Sequence, residues 1–547
     1  MKKLFRDQEN RRELFLFLAV MIVACGPLLS KYCINGHDLE YHLLRIESLK
    51  EGILMGRPFE RINVLFLGGA GYASSLFYPD LFLYLPALLR AAGVGIAGSY
   101  HIYVVFCVGL TYLSMRFCVK KITGSAYAAI MAAALLVLSP YYLGDVLIRG
   151  AVGEYSAFIF LPLVICGIYD VLYEQAQKPW MLCVGYGGVL LTHTTTFLFC
   201  LLFGAAAFAL RWKVFRDLKI LKKTGLCVLV TSALTAFYWV PVLEMLLTTP
   251  LYVNDPWVPL QENAMQFSCL FSNDFPCVGF LLFALALFRV LIKKNPPNRE
   301  MVGFADWLLM GGAFFAVLAT DLFPWERLNG YLGFVQFPWR LFVLSTVMLS
   351  VADAVILYVF IRYSLEPLMQ GSLRVISVLL LVLLSALALR FINNAGISYY
   401  DYSDDYYSYK PFTANIIAGE WLPKTVEDKD LLTQNSDRMT DEKGEELPFV
   451  RIRDRIEAQI PGGLEYVDVP FVYYRGYRAT LDGTALLAGP GENGTCRVYT
   501  NGASGALVVK YGGTLLQHIS ETVSLLALIG LIYAVRRGKN KPKEVKS

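Results

Sequence analysis

The sequence predicts an all-α polytopic membrane bundle of about twelve transmembrane helices, with a small extracytoplasmic β-rich domain before the last helix. Of the 547 residues, 56% are hydrophobic and only 17% are charged, whereas a soluble protein has roughly a quarter of its residues charged. Apolar runs of about 20 residues, the length that crosses a bilayer, recur from Leu14 to Val535. One large core does not explain this composition, because single cores stop growing at roughly 250–300 residues.

The distribution of positive charge orients these runs, because Lys and Arg collect in cytoplasmic loops. Clusters follow the second and sixth runs, at Lys120–Lys121 and from Arg211 to Lys223, and the end of the chain is basic. By contrast, the stretch from Thr248 to Asp274 contains no Lys or Arg. We therefore expect a multi-pass protein of the plasma membrane with both termini in the cytoplasm. The expected spans are 14–30, 97–117, 125–139, 156–173, 181–193, 196–210, 225–245, 276–292, 303–320, 338–361, 374–393 and 515–535.

This topology leaves three segments on the outer side of the membrane. The first loop, 31–96, is long and includes a short apolar segment at 77–92 that we interpret as an interfacial or re-entrant helix. The second loop, 140–155, is short and charged, and the third segment is a larger module at 394–514.

The change of composition at the third segment divides the chain into domains. We expect a transmembrane domain at 1–393, an extracytoplasmic β-rich domain at 394–514, and a final helix with a basic cytoplasmic tail at 515–547. The β-rich domain opens with an acidic, tyrosine-rich stretch at 399–409. Strand-like runs separated by Gly-rich turns predict a small β-sandwich after it. These runs are Val467–Tyr474, Ala479–Leu487 and Ala506–Tyr511.

The first outer loop carries an ionisable motif, GHDLEYHLLR, directly after the first span. In a helix, Asp38, His42 and Arg45 lie at positions i, i+4 and i+7 and share one face. A neighbouring apolar stripe predicts a helix in the membrane interface, with the ionisable face over the mouth of the bundle. A carboxylate there could bind a divalent cation or act as a general base. The alternative is a surface helix whose charges are merely solvated.

Three further motifs fall on the same outer side. RGAVGE places Arg149 and Glu154 at the entrance to the fourth span, where ionisable groups are costly and are candidates for function. His193 lies in THTTT between spans five and six, and Arg340 lies in QFPWR, where it could pair with a phosphate. The structural alternatives are a snorkelling pair at a helix end, a hydrogen-bonded packing histidine, and a snorkelling arginine in an aromatic belt. Because all four motifs are expected at the same outer mouth of the helical bundle, a functional site is favoured over these alternatives.

The composition argues against several other classes of function. The sequence has no basic patch interleaved with aromatic residues, which would predict nucleic-acid binding. It also has no CxxC motif or Cys/His ligand spacing, which would predict zinc or redox chemistry. Most of the eleven cysteines lie inside apolar runs, where they behave as small hydrophobes. We expect no organic cofactor. Four cysteines are expected to face outside, Cys33, Cys269, Cys277 and Cys496. A disulfide among them is possible, but the sequence does not decide the pairing.

With these motifs, the layout resembles the GT-C superfamily of membrane glycosyltransferases. Asp38 matches the acidic motif that these enzymes carry in the first outer loop. Arg149, Gly153 and Glu154 resemble an R-x-x-x-G-x-x-D-like element of oligosaccharyltransferases, although here the acid is Glu and directly follows the glycine. The strings GHDLEYHLLRI, YPDLFLYLPALL, THTTTF and GEWLP are similar to bacterial "6-pyruvoyl-tetrahydropterin synthase-related" membrane domains, and VDVPFVYYRGYRATLDG is similar to YfhO-like membrane proteins.

The resemblance implies transfer of a sugar from a polyprenyl-phosphate donor in the bilayer to a glycan, lipid or protein acceptor of the cell envelope. Asp38 would activate the acceptor or hold a divalent cation, Mn or Mg, with Glu154 as a second ligand. Arg340 and Arg149 would neutralise the leaving phosphate. The remaining substrate-binding candidates are His42, Arg45 and His193. The β-rich domain would recognise the acceptor or cover the site.

Two other classes of function remain open. A transporter or flippase for a lipid-linked glycan would use the same groups without breaking a bond, and it would place ionisable residues near mid-membrane. Asp353 is the plainest such residue. A non-catalytic envelope assembly protein is the third class; loss of the outer-loop acids would favour it, but Asp38 and Glu154 are both present.

Overall fold

The computed structural model describes residues 2–57, 59–255, 258–292, 298–402, 416 and 419–539. The chain forms two compact units. The first unit comprises Met1–Gly56, Asp80–Thr224 and Asp255–Ser408, and the second comprises Arg57–Pro79, Gly225–Asn254 and Tyr409–Ser547. Most of the segment expected to be β-rich therefore belongs to a unit that also includes two stretches that the sequence analysis assigns to the transmembrane domain.

Helices account for most of the first unit and for the end of the chain. In chain order the longer helices are Lys2–Cys25, Leu39–Leu54, Tyr84–Ala91, Ile96–Thr123, Ala126–Val137, Leu161–Tyr173, Trp180–Leu190, Thr194–Leu210, Leu218–Leu234, Ala236–Thr248, Arg299–Leu318, Phe342–Phe360, Ser372–Asn394 and Leu515–Lys539. Shorter helical segments include Pro140–Gly144, Asp145–Arg149, Val152–Ala157, Phe280–Ala286 and Pro338–Leu341.

Seven helices are long and apolar enough to cross a membrane, or nine if each of two bent helix pairs is one span, within the described ranges. The protein is therefore a multi-pass membrane protein, and the predicted helical bundle with a β-rich domain before the last helix is confirmed. The predicted count of twelve is not confirmed. Several expected spans are helices of only 10–17 residues, below the roughly 20 that cross a bilayer. These are Trp180–Leu190, Thr194–Leu210 and Phe280–Leu291.

Two predicted segments differ in shape from the expectation. The span expected at 225–245 is a pair of helices, Leu218–Leu234 and Ala236–Thr248, bent by 71°. At the break, the Thr235 hydroxyl donates to the carbonyl of Thr231 at 2.8 Å, and such back-bonding bends helices. The segment 140–155, expected as an outer loop, is helical and almost entirely buried.

The helix Leu39–Leu54, which follows the first span, is largely buried within the protein. His42 and Arg45, expected on its open face, are 2% and 0% exposed. Its neighbour is the helix Tyr84–Ala91, and Arg90 of that helix forms a two-point ion pair with Glu47, with Nη2 at 3.1 Å from Oε2. A buried charge is tolerated only when it is paired, so these pairs explain why a charged helix can be enclosed.

The second unit contains two five-stranded antiparallel sheets, which agrees with the expected β-rich domain. One sheet has the order Ala488–Pro490, Thr495–Tyr499, Tyr466–Val472, Met439–Asp441 and Glu446–Leu447. The other has the order Phe449–Ile452, Arg455–Ile460, Gly505–Tyr511, Tyr477–Leu481 and Thr484–Leu486. Rings from the two sheets stack, with the Phe471 and Tyr477 centroids 5.4 Å apart, as in the core of a sandwich.

One long-range strand pairing and one local disulfide hold parts of the first unit. Cys33–Ile34 pairs antiparallel with Tyr399–Tyr400, which ties the end of the first span to the residues after the helix Ser372–Asn394. Cys269 and Cys277 form a disulfide, whereas Cys33 and Cys496 are free thiols. The rest of the acidic, tyrosine-rich stretch, residues 403–409, lies outside the described residues.

Candidate functional site

A bend in the chain after the helix Ala126–Val137 creates the core of the candidate site. Residues Pro140–Gly144 start a new helix at 46° to the preceding one, and Asp145–Arg149 continue it as a π-helical turn. Gly150 ends this turn with φ +65°, a conformation that glycine adopts without strain. The chain then enters the next span, with Glu154 in its first helical turn. This turn brings Arg149 and Glu154 to the same point, with Nη1 and Oε2 2.8 Å apart.

The first outer loop meets this turn backbone to backbone. The amide of Asp38 donates to the carbonyl of Arg149 at 2.8 Å, and the amide of His37 donates to that of Ile148 at 3.3 Å. A Cβ atom on Gly36 would lie 2.8 Å from the Arg149 carbonyl oxygen. Only glycine therefore permits this approach, which fixes Asp38 beside the Arg149 side chain.

Arg149 is the centre of a group of charged side chains that we call the Arg149 cluster: Asp38, Asp145, Arg149, Glu154 and Arg340. Its guanidinium lies 2.8 Å from Asp145 Oδ1, 2.8 Å from Glu154 Oε2 and 3.3 Å from Asp38 Oδ2. Buried carboxylates need such a partner, because an uncompensated charge away from water is costly. With every group ionised, the cluster carries a formal charge of −1.

Exposure separates the three carboxylates. The side chains of Asp145 and Glu154 are 0% and 1% exposed, whereas that of Asp38 is 43% exposed. Glu154 is also held on its second oxygen, Oε1, by a hydrogen bond from the hydroxyl of Tyr141. Asp38 is thus the carboxylate of the cluster that a molecule from outside can reach.

Arg340 approaches the cluster from the short helix Pro338–Leu341. Its Nη1 donates to the carbonyl of Val335 and to Gln336 Oε1, both at 3.1 Å. Its Nε is 3.9 Å from Glu154 Oε2 and has no hydrogen-bond partner in the described part of the chain. This Nε is a buried atom, while the side chain as a whole is 13% exposed, and arginine pairs well with phosphate.

Aromatic rings pack around these charges. The Trp339 ring lies over the Arg149 guanidinium, 4.7 Å from centroid to carbon, a stabilising cation–π geometry. Phe275 is 5.9 Å from Trp339 and 6.3 Å from Tyr141, so it bridges the two. The rings exclude water from the guanidinium, which strengthens its interaction with the carboxylates.

The other candidates divide into two groups. Arg45 forms an ion pair with Asp80, and its Nη1 lies 3.1 Å from His42 Nδ1. It therefore holds the first-loop helix in place instead of facing a substrate. His193 is buried, with Nδ1 2.8 Å from the hydroxyl of Thr196. The structure thus encloses both His193 and Arg45.

Sequence reasoning missed three members of the site. Asp145, Tyr141 and Trp339 contact Arg149 or Glu154 directly. A helical interpretation of the segment 140–149 would have revealed the first two, because Tyr141, Asp145 and Arg149 follow one another at intervals of four residues.

A divalent cation does not fit this arrangement. Arg149 takes the position between Asp38 and Glu154 that the sequence analysis assigned to Mn or Mg, and its positive charge would repel such an ion. Asp145 Oδ2 is a buried oxygen with no partner in the described residues, but one oxygen does not make a cation site. Within the described ranges, no group of three or more His, Cys, Asp or Glu could hold a metal ion.

The chain was also compared with known proteins. No protein-family model matches it, and no curated protein sequence matches it. Among solved structures, it is similar to the arabinofuranosyltransferase AftD from Mycobacteria, with 12% identity and a TM-score of 0.45 over 70% of this chain and 27% of that one. The YfhO-like and pterin-synthase-related resemblances stay predictions.

Two further likenesses have similar values. A structure of ArnT from Cupriavidus metallidurans bound to undecaprenyl phosphate is 14% identical, with a TM-score of 0.36 over 66% of this chain and 62% of that one. The archaeal oligosaccharyltransferase AglB from Archaeoglobus fulgidus, in complex with an inhibitory peptide and a dolichol-phosphate, is 11% identical. Its TM-score is 0.39 over 70% of this chain and 56% of that one. This chain spans less than two thirds of each of the three proteins.

The close backbone contact at Gly36 generates a first prediction. We expect Gly36→Ala to lower stability by about 1–3 kcal/mol, the usual cost of overpacking, because the new methyl group pushes the Asp38 loop off Arg149. Thermal unfolding of the purified full chain in detergent measures this. Gly26→Ala is the matched control, since a Cβ atom there meets nothing within 4 Å. Equal stability of the two variants would show that the contact does not matter.

A second prediction concerns how stability depends on pH, and it follows from the environment of His42, which lies outside the spans. Burial and then the charge of Arg45 lower the pKa of His42 well below its usual value. The unfolded chain takes up a proton near pH 6.5 while the folded chain does not, so stability is full above about pH 6.5 and falls as the pH drops below it. The stability lost through His42 is at most about 1.4 kcal/mol for each unit that the pH falls.

The measurement is the melting temperature between pH 8 and pH 5. His42→Asn keeps an acceptor near Arg45 but cannot titrate, so its melting temperature should fall less at acid pH. His37→Asn, at an exposed position of the same loop, should keep the full decline. An unchanged acid slope in His42→Asn would refute the assignment.

Proposed function

We propose that the protein is an integral membrane glycosyltransferase, which moves a sugar from a polyprenyl-phosphate donor to a hydroxyl of a cell-envelope acceptor at the outer face. The observation that carries the proposal is the half-exposed carboxylate of Asp38, held against a buried guanidinium at one end of the membrane spans. Transfer to a hydroxyl needs a base at the acceptor and positive charge at the leaving phosphate, and the Arg149 cluster supplies both types of group.

Asp38 acts as the base in this proposal. It takes the proton of the acceptor hydroxyl as that oxygen bonds to the anomeric carbon of the sugar. The bond between the anomeric carbon and the phosphate oxygen breaks at the same time, and its electron pair leaves with the phosphate. Attack opposite to the leaving group inverts the anomeric configuration. No step in this scheme requires a divalent cation.

The two arginines have different roles. Arg149 is committed to three carboxylates, so we now assign it to positioning Asp38, and not to the phosphate as the sequence analysis expected. Among the described residues, Arg340 approaches only one carboxylate, at 3.9 Å, and its side chain is 13% exposed, so it is the group that receives the leaving phosphate. Glu154 orients both arginines, with Nη1 of Arg149 at 2.8 Å and Nε of Arg340 at 3.9 Å.

The histidines are secondary candidates in the same reaction. The enclosed positions of His42 and His193 restrict them to orienting the charged groups or to a hydrogen bond with a ligand that enters the cluster. Arg45 does not contact the substrate, because it is fully buried against Asp80.

Transport of a lipid-linked glycan is the second candidate, and the observation that favours it is Asp353. This residue is 0% exposed in the middle of the helix Phe342–Phe360, and neither carboxylate oxygen has a partner in the described residues. An ionisable group inside a span is a candidate for an ion or proton pathway. A transfer assay separates the two functions, because transport forms no new glycosidic bond.

The base assignment is tested by Asp38→Asn. We expect the turnover of synthetic farnesyl-phosphoryl glucose, mannose or arabinofuranose with envelope acceptors to fall by about 10²–10⁴, the usual contribution of a general base. Binding of farnesyl phosphate should persist, since the change removes a negative charge. Glu40→Gln, a carboxylate two residues away and outside the cluster, is the matched control and should stay within about threefold of the parent. Near-normal transfer by Asp38→Asn would disprove the mechanism.

The phosphate assignment is tested by Arg340→Gln. We expect farnesyl phosphate to bind about 10- to 100-fold more weakly, the cost of a lost charge-assisted hydrogen bond, as measured by microscale thermophoresis in detergent. Arg327→Gln removes an exposed arginine of the same interhelical segment and should leave the affinity unchanged. If both variants weaken binding equally, general surface charge and not Arg340 attracts the phosphate.

A further inference from the structure

The first unit contains a cavity of about 520 Å³ far from the Arg149 cluster. Tyr173 lines it, and this residue ends the span Val152–Tyr173, whose first turn carries Glu154. A helix of that length is about 33 Å long, close to the roughly 30 Å thickness of a bilayer core. The cavity and the Arg149 cluster therefore lie at opposite faces of the membrane.

The cavity is lined by three arginines and two carboxylates. Arg289 is satisfied by Asp306, with Nη2 at 2.9 Å from Oδ2. Arg211 lies over the Tyr173 ring, 4.6 Å from centroid to carbon, and Arg299 is exposed at the start of the helix Arg299–Leu318. Within the described residues, Arg211 and Arg299 have no ion-pair partner, and the lining has a formal charge of +1 once its other carboxylate, Glu300, is counted.

One wall of the cavity is apolar and open. Leu210 and Met310 line it and are 70% and 64% exposed. Met310 is eleven residues beyond Arg299 on the same helix, about 16 Å further along the span. Gly303 also lines the cavity, and a Cβ atom there would meet nothing within 4 Å. The cavity thus has a cationic end at the membrane face and an apolar side that runs toward the bilayer interior.

We propose that this cavity, the Arg211 pocket, binds the phosphate headgroup of an anionic membrane lipid, with the acyl chain along Leu210 and Met310. Guanidinium groups pair with phosphate through two hydrogen bonds, and basic pockets between spans bind anionic head groups. A soluble phosphate compound shares the headgroup chemistry, but it would leave the exposed apolar wall unused. The proposal does not depend on the transferase assignment.

The experiment measures binding of dioctanoyl-phosphatidylglycerol to the purified full chain by native mass spectrometry. Dioctanoyl-phosphatidylcholine and inorganic phosphate are the comparison ligands. We expect phosphatidylglycerol to bind at least tenfold more tightly than either of them. Arg211→Gln and Arg299→Gln should each weaken it about fivefold, and the double variant about twentyfold, from the typical contribution of a basic residue near an anionic lipid. Gly303→Phe, which fills the open space without changing charge, should weaken it to a similar extent.

Arg216→Gln is the matched control, because this exposed arginine lies five residues from Arg211, stacks on Trp212 and does not line the cavity. Its affinity for phosphatidylglycerol should stay within twofold of the parent. Equal weakening by Arg216→Gln would overturn the proposal in favour of general attraction to a basic surface. Unchanged affinity in the double variant and in Gly303→Phe would also overturn it. Inorganic phosphate binding as tightly as the lipid would assign the pocket to a soluble anion instead.

Discussion

The pairing of one buried guanidinium with three carboxylates is the constraint on which the candidate site depends. Asp145 and Glu154 are enclosed at the end of membrane spans, and both contact Arg149, which offsets the cost of burying them. Removing one partner of a buried ion pair typically costs about 3–5 kcal/mol. The π-helical turn at Asp145–Arg149 and the glycine after it exist at the point where the chain must bring these groups together, and such turns are frequent at functional sites.

This constraint also gives similar residues different roles. Asp38 and Glu154 are both carboxylates bonded to the same arginine, but the first is 43% exposed and the second is 1% exposed. A molecule from outside can reach only the first, while the second is enclosed among its neighbours. The same distinction separates Arg149, which is committed to three carboxylates, from Arg340, whose Nε lies 3.9 Å from one. Burial and pairing, and not residue type, therefore decide which groups are available for chemistry.

The sequence analysis assigned Asp38, Glu154, His193 and Arg340 to one membrane face, because loop charges and span lengths indicate which ends of the helices share a face. The structure brings Asp38, Glu154 and Arg340 into one cluster. It could not show that Arg149 joins the carboxylates, since that depends on a contact across 111 residues between two backbone segments. The pairing of Arg45 with Asp80 could not be predicted for the same reason, and it encloses a helix face that was expected to be open. The span count is not confirmed where helices are short or bent, because hydropathy does not report where a helix ends.

The charge of the Arg149 cluster also bears on how the proposed reaction could turn over. When Asp38 takes the acceptor proton, the cluster becomes more positive by one charge at the moment when negative charge develops on the leaving phosphate. Loss of that proton to solvent, which the exposure of Asp38 permits, makes the cluster more negative again. The restored charge repels the phosphate product, so proton release and product release favour each other. An arginine-only phosphate site would lack this step, because guanidinium groups do not titrate near neutral pH. The carboxylate that is half-exposed would then serve both to start the transfer and to end it.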